Sequence, residues 1–249
     1  MKQFLLFFLL FVFSISIEPN SFTDLDIDIS KFEVASKTNQ IILVIPPNYT
    51  STLATLYFYV KEGDKWIERN ETKAYIGKNG LGKTIQGDMK TPVGVYKFNC
   101  YFGIFENPGT DLPYIQVNES HYWDGDSNST HYNTLVNNET YKDFNASDSE
   151  HLIDYNPGYE YALNIDYNKE QTPFKGGGIF LHCFTNNTFT AGCVAIDRDE
   201  LVKIYKEINK DCNIIIDTKE NMTKYYKSSS SSNFIKRGIL SLLVFILMI

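Results

Sequence analysis

The sequence is poor in what nucleic-acid binding, metal binding and fibre formation require. Its 249 residues carry 23 Lys and Arg against 30 Asp and Glu, a net charge of −7, with no basic run suited to a phosphate backbone. A nucleic-acid partner is therefore excluded. Glycine and proline total only 23 residues without a triplet period, and aromatics reach 15%, which rules out collagen-like and disordered chains. The four histidines and four cysteines are scattered, with no paired-cysteine zinc spacing and no H-E-x-x-H. Asp124, Asp126 and Asn128 open like a calcium loop. The glycine that should follow is missing, and Leu135 stands where the closing glutamate belongs. No metal and no cofactor is expected, and no phosphate site in GKNGLGK (77–83).

Long apolar runs are absent from the interior and occur at the two ends. Residues 1–17, MKQFLLFFLLFVFSISI, carry one lysine, an apolar stretch and small residues near Ser14 and Ser16. That is the layout of a secretory signal peptide, too short for a comfortable membrane span. At the other end a serine run, the spacer FIKR and the tail GILSLLVFILMI form the pattern of a glycosylphosphatidylinositol (GPI) signal. A short single membrane span is the competing reading of the same tail. The expected division is a signal peptide (1–17), a polar, weakly ordered lead (18–38), one mostly β domain (39–217), a Ser-rich stalk and spacer (218–237) and a hydrophobic tail (238–249). Ser229, between Ser228 and Ser230, is the expected lipid-attachment residue, so a membrane is a partner through the lipid and the domain faces the cell exterior. Losing Lys2, Lys236 and Arg237 with the ends moves the net charge from −7 to −10.

Eight Asn-x-Ser/Thr sequons occur, at Asn48, Asn70, Asn118, Asn128, Asn138, Asn145, Asn186 and Asn221. That is more than this composition scatters by chance, and the sites are expected to carry glycans on a secreted chain.

Between the ends the pattern is mostly β. Short apolar or aromatic runs at 41–45, 53–60, 65–69, 74–77 and 94–98 are separated by turn residues, with Gly63-Asp64 reading as a hairpin break. Strand patterning returns at 161–167, 176–184, 193–197 and 213–216. Residues 103–158 lack apolar periodicity and read as a long surface insertion. One helix is predicted over 198–209. Asp197 supplies its N-cap, Glu200 completes a capping box, and Leu201, Ile204, Tyr205 and Ile208 share a face.

The chemistry concentrates in the last third. An even count of cysteines in a secreted chain invites disulfides among Cys100, Cys183, Cys193 and Cys212, with the pairing left open by the sequence. Cys193 stands apart in TAGCVAI, where Gly192 lets a backbone amide approach and a strand follows. His182, in IFLHCF, lies eleven residues upstream, on a strand that the NNTFT loop can set beside it. An imidazole there can hold a thiolate near neutral pH and later protonate a leaving amine. The amides of Gly192 and Cys193 are candidates to receive an oxyanion. His121, His131 and His151 read as solvated loop residues.

Three blocks in order resemble the L,D-transpeptidase catalytic domain of the YkuD type. They are GKNGLGKTIQGDMKTPVGVYKF, then FGIFENPGTDLPY with HYWDGDSNSTHYN and EHL, then YALNIDYN, GGGIFLHC and TAGCVAIDRDEL. The resemblance implies a mostly β, sandwich-like fold with one or two short helices. It also implies Cys193 as the acyl-accepting nucleophile, His182 as its base and Gly192 in the oxyanion turn, with a peptide or muropeptide as substrate. Many members carry Ser-His-Gly-Cys with an Arg shortly after. Here Ala191 and Ala195 occupy those places, and Cys183 follows His182 where Gly or Ser is usual. A bridge from Cys183 to Cys193 would silence the site. A surface that bears glycans and a lipid does not build peptidoglycan, so exogenous muropeptides are the expected substrate. The alternative is a glycosylated surface module that kept the fold without turnover and binds cell-wall fragments or a partner protein. An unrelated Cys-His peptidase would need a carboxylate or amide orienting His182, and no signature marks one.

Overall fold

A computed structural model describes residues 25–228. The expected signal peptide (1–17), the expected lipid-attachment residue Ser229 and the apolar tail lie outside the described residues. Among the described residues no helix is long and apolar enough to cross a membrane.

The chain forms β1 (Gln40–Ile45), β2 (Leu53–Glu62), β3 (Lys65–Tyr75), β4 (Gly94–Gly103), β5 (Tyr114–Gln116), β6 (His121–Trp123), β7 (Leu135–Asn137) and β8 (Glu150–His151). It continues with β9 (Ala162–Ile165), β10 (Phe180–Cys183), β11 (Val194–Ile196), α1 (Arg198–Glu207) and β12 (Asn213–Ile216). Nine strands make one sheet in the order β12-β1-β2-β3-β11-β10-β9-β4-β5. β12 also pairs antiparallel with β4, Ile214 opposite Tyr96, so the sheet closes on itself. The expected mostly β, layered architecture is therefore present, with its layers joined along this seam.

The run IILVI is apolar at every position because β1 is covered on both faces. Ile42 and Val44 enter a main core with Leu56, Phe58, Leu181, Val194 and Ile196. Ile41, Leu43 and Ile45 meet a second core with Phe32, Tyr57, Tyr59, Ile215 and Met222. α1 seals the main core with Leu201, Ile204 and Tyr205, and the Asp197 carboxylate accepts from the Asp199 and Glu200 amides as a cap. The helix stops at Glu207, two residues short of expectation, because Ile208 turns to extended backbone. The segments 65–69 and 74–77 belong largely to one strand, since β3 continues its ladder with β2 through Tyr75.

Three expectations change. Residues 103–158 are a built element, because β7, β6 and β8 form a separate three-stranded sheet. Strands of two or three residues are too short to show periodicity. Residues 25–38, expected to be weakly ordered, pack Ile29, Phe32 and Ala35 into the second core. The stretch after 217, expected to be stalk, begins as a 3-10 helix (Lys219–Tyr225) that buries Met222 and leads to a bridge between Tyr226 and Phe32. Among the sequons, Asn70 is buried and its amide donates to Glu200 at 2.7 Å, so a glycan there requires that contact to break.

Gly77–Thr84 spells G-x4-G-K-T, the letters of a phosphate loop. No helix follows Thr84, and the Lys83 ammonium is committed to Asp88 (3.0 Å) and the Ile85 carbonyl (3.2 Å). Asp88 also accepts from the Thr84, Ile85 and Lys90 amides, which sets the loop rigidly against the sheet.

Asp217, fully buried at the end of β12, holds the C-terminal 3-10 helix. Its carboxylate accepts from the Thr218 amide (2.8 Å), Tyr225 hydroxyl (2.8 Å) and Asn221 amide (3.1 Å), and pairs with Lys224. These donors hold its carboxyl below the usual range, against the opposing effect of burial. A lowered folded-state pKa gives stability that is present above the unfolded value of about 3.9 and is lost as pH falls through the folded one. Asp217→Asn should lower unfolding stability by about 2–3 kcal/mol at pH 7, with a smaller deficit below pH 4, as read by denaturant titration. A variant equal to wild type at pH 7 would show that Asp217 holds nothing.

Candidate active site

β10 and β11 run parallel, with Leu181 opposite Val194 and His182 opposite Ala195. Side chains alternate across a sheet, so Cys193, Ala195 and His182 fall on one face. Both His182 and Cys193 line a cleft of about 700 Å3, within the range of small-molecule and peptide sites. Cys183 alternates to the opposite face and lies in the main core, its thiol 3.6 Å from the Tyr161 carbonyl. All four cysteines are free, so the disulfides invited by their even count, including a Cys183–Cys193 bridge, are not formed. Cys100, Cys183 and Cys212 serve as buried or half-buried apolar groups.

Gly192 is required by its backbone. Its φ of +146° disfavours other residues, and a Cβ would stand 2.8 Å from the Lys90 carbonyl oxygen. Its amide donates to Thr190 Oγ1 at 3.0 Å, which leaves the Cys193 amide as the uncommitted donor of this turn. The hydroxyls of Thr190 (2.7 Å) and Thr91 (3.3 Å) donate to the Cys193 carbonyl and fix its backbone. Thr91 is fully buried, so this contact is shielded from water.

The sulfur of Cys193 accepts from the Phe180 amide and donates to the Gly178 carbonyl, each at 3.3 Å. His182 Nδ1 lies 2.8 Å from the Cys183 carbonyl. A carbonyl only accepts, so Nδ1 carries the proton and Nε2 is left as the basic nitrogen. The orienting group sought in a carboxylate or amide side chain is thus this backbone oxygen. Burial pushes the Cys193 thiol up to about 12, with Glu150 adding to the rise while the Phe180 amide and Lys83 oppose it. Burial likewise lowers His182 to about 4, against the Cys183 and Gly158 backbone contacts. Both shifts favour the neutral forms over the thiolate–imidazolium pair expected from the sequence, because apolar surroundings penalise both charges together.

The insertion supplies the facing wall. Trp123 packs against Phe180 and Phe102 beneath the cleft. Glu150 reaches the cleft and accepts from the Tyr159 hydroxyl at 2.6 Å, and the Tyr159 ring meets His182 edge-on at 5.5 Å. Lys83, Glu150 and Tyr159 were not singled out by the sequence, although the first two lie in the resembling blocks. His121, His131 and His151 stay on the insertion, contacting Asn118, Asp143 and Asp154. Among the described residues no group of three or more His, Cys, Asp or Glu is arranged to hold a metal ion.

Fold and site together define a closed β domain with a cysteine and a histidine on the floor of a cleft. The family model of the L,D-transpeptidase catalytic domain (YkuD) matches residues 40–229, and the chain belongs to that family. No curated protein matches it. Among solved structures it is similar to Bd1075 of Bdellovibrio bacteriovorus, at 19% identity and a TM-score of 0.37, covering 86% of this chain and 58% of that one. It is also similar to the helical cell shape determining protein Pgp2 of Campylobacter jejuni, at 20% identity and TM-score 0.37, covering 74% and 52%. An L,D-transpeptidase from Mycobacterium smegmatis matches at 12% identity and TM-score 0.33, covering 71% and 58%. The chain spans little more than half the length of these proteins, and the family assignment rests on the family model.

A neutral buried thiol has a distinct pH signature. Iodoacetamide labelling of Cys193 in the free protein should rise about tenfold per pH unit from 7 to beyond 10, the thiolate fraction growing with each step. A rate that levels off near pH 7 would mean a preformed thiolate and contradict this geometry.

Proposed function

We propose that this domain is a secreted, surface-anchored cysteine acyltransferase that forms a thioester between Cys193 and a peptidoglycan stem-like peptide and passes it to an amine or to water. The observation that carries the reading is the shared face of Cys193 and His182, with His182 Nε2 unprotonated and directed by the Cys183 carbonyl. In the first half-reaction the thiol proton passes to Nε2 as sulfur bonds to the peptide carbonyl carbon. The amide C–N bond then breaks, and the leaving amine takes that proton. The Cys193 amide is the donor left for the tetrahedral oxyanion. In the second half-reaction an amine or water gives a proton to Nε2 and attacks the thioester, and the sulfur leaves with the proton returned.

Water is poorly suited to support the charged pair in so apolar a floor, so proton transfer and attack proceed together once substrate fills the cleft. Glycans and a lipid anchor, as the sequons and tail suggest, belong to a surface that builds no peptidoglycan; the substrates are then muropeptides of bacterial origin. The alternative, a binding module without turnover, is favoured by one observation, the thiol raised to about 12 rather than lowered.

Incubation with a disaccharide tetrapeptide should release the terminal D-amino acid or yield a cross-linked or exchanged product by chromatography. Cys193→Ala should abolish this, and His182→Ala should slow it by about 10²–10⁴-fold. Equal product from Cys193→Ala would end the acyltransferase reading, and specific binding without product in wild type would establish the module.

A further inference from the structure

The fold treats the eight sequons differently. An N-linked glycan is joined to the Asn side-chain nitrogen and needs open space around it. Asn70 is buried with that nitrogen on Glu200. Asn221 gives its nitrogen to the Tyr49 hydroxyl (3.2 Å) and to Asp217 (3.1 Å), and Asn145 gives its own to Asp148 (2.8 Å). Asn186 is exposed, and so are Asn187 and Thr188, which complete its sequon. The hydrogen bond at this point of the loop runs from the Asn187 amide to Thr185 Oγ1 (3.2 Å) and leaves the Asn186 side chain without a partner among the described residues. A glycan on Asn186 therefore breaks no contact.

Of the eight, Asn186 alone lines the cleft that holds Cys193 and His182. It belongs to the loop between β10 and β11, which is pinned by the Phe184 amide on the Ile196 carbonyl (2.7 Å) and the Thr190 amide on the Ile76 carbonyl (2.9 Å). Its neighbour Thr185 packs on Gly158, where a Cβ would stand 3.1 Å from Thr185 Cγ2, and Gly158 also lines the cleft. Asn186 is thus an exposed residue at the edge of the cleft, on a loop whose ends are fixed.

We propose that Asn186 carries an N-linked glycan that stands over the cleft mouth and filters substrate by size, admitting short soluble muropeptides and excluding intact cell-wall polymer. The inference rests on the secretory and acyltransferase parts of the proposed function and deepens them by naming the size of the substrate. A glycan is bulky and hydrophilic, so it stays in water at the rim and does not fill the apolar floor. A fragment that enters the cleft whole passes beside it. A cross-linked polymer brings neighbouring strands across the rim, into the volume that the glycan sweeps. The glycan touches no reacting atom, and Asn186 acts on specificity through access.

Full-length protein secreted by a eukaryotic host should carry glycan on Asn186 when its glycopeptides are mapped by mass spectrometry. Thr188→Ala removes this sequon and leaves Asn186 in place, and Thr188 itself does not line the cleft. Two reagents of one chemistry then read access without turnover. N-ethylmaleimide and a polyethylene-glycol maleimide both take the Cys193 sulfur on one carbon of the ring double bond and a proton on the other. The small reagent should label Cys193 equally fast in wild type and Thr188→Ala. The large one should be slower in wild type by at least about tenfold, the equivalent of about 1.4 kcal/mol of exclusion. Trimming the folded wild type with an endoglycosidase should bring its rate to that of the variant. An unoccupied Asn186, or a large reagent that labels both proteins alike, would overturn the filter. On the substrate side, wild type should process intact bacterial sacculi far more slowly than a disaccharide tetrapeptide. Thr188→Ala should narrow that gap while consuming the tetrapeptide at the wild-type rate, and an unchanged gap would contradict the filter. Turnover of neither substrate, with the reagent rates as expected, would overturn the acyltransferase reading and leave the glycan over the cleft standing.

Discussion

The parallel pairing of β10 with β11 is the constraint from which the site follows. A parallel neighbour two residues out of step sets His182 and Cys193 on one face and turns Cys183 to the other. The same pairing brings the Phe180 amide to the sulfur, so a backbone donor and a backbone acceptor bracket the thiol. Backbone groups cannot swing away as side chains do, which makes the position of the thiol a property of the sheet. The crossover between the two strands is the short NNTFT loop, and Gly192 ends it where a Cβ would strike the Lys90 carbonyl. Thr190, at the end of that loop, and Thr91, from the segment before β4, clamp the Cys193 carbonyl. Cys193 is thus held by three parts of the chain that meet only in the folded domain.

Burial sets the chemistry. The Phe102, Trp123, Tyr159 and Phe180 cluster beneath the cleft lowers the local dielectric, and both partners prefer their neutral forms there. Such a pair is protected against stray alkylation and oxidation, since the thiolate is the reactive species. The cost is that ionisation must be supplied at the moment of reaction by the substrate's own groups. Lys83 and Glu150 act on the sulfur in opposite senses, and Lys83 is paired with Asp88.

Much of the frame was legible in the sequence because it is local. The helix could be read from Asp197, Glu200 and a four-residue apolar face, and the short strands from their apolar runs. The closure of β12 on β4 could not, since it joins residues more than a hundred positions apart with no local signal. The insertion hid its sheet in strands of two or three residues. At the site, Cys193, His182 and Gly192 stood out by residue type and setting. Glu150, Tyr159 and Thr91 are common residues made significant only by the wall or strand that carries them. The pull of the pair toward its neutral forms was hidden for the same reason, because burial is a property of the assembled core.

The central claim is that sulfur takes the peptide acyl group, and an acid-quenched mass measurement addresses it most directly. Mixed with a disaccharide tetrapeptide and quenched within a turnover, the protein should gain the mass of the substrate less its terminal residue. The adduct should map to Cys193 and be released by neutral hydroxylamine, as a thioester is. A protein that consumes the substrate with no such adduct, or with a hydroxylamine-stable adduct on another residue, would contradict the account.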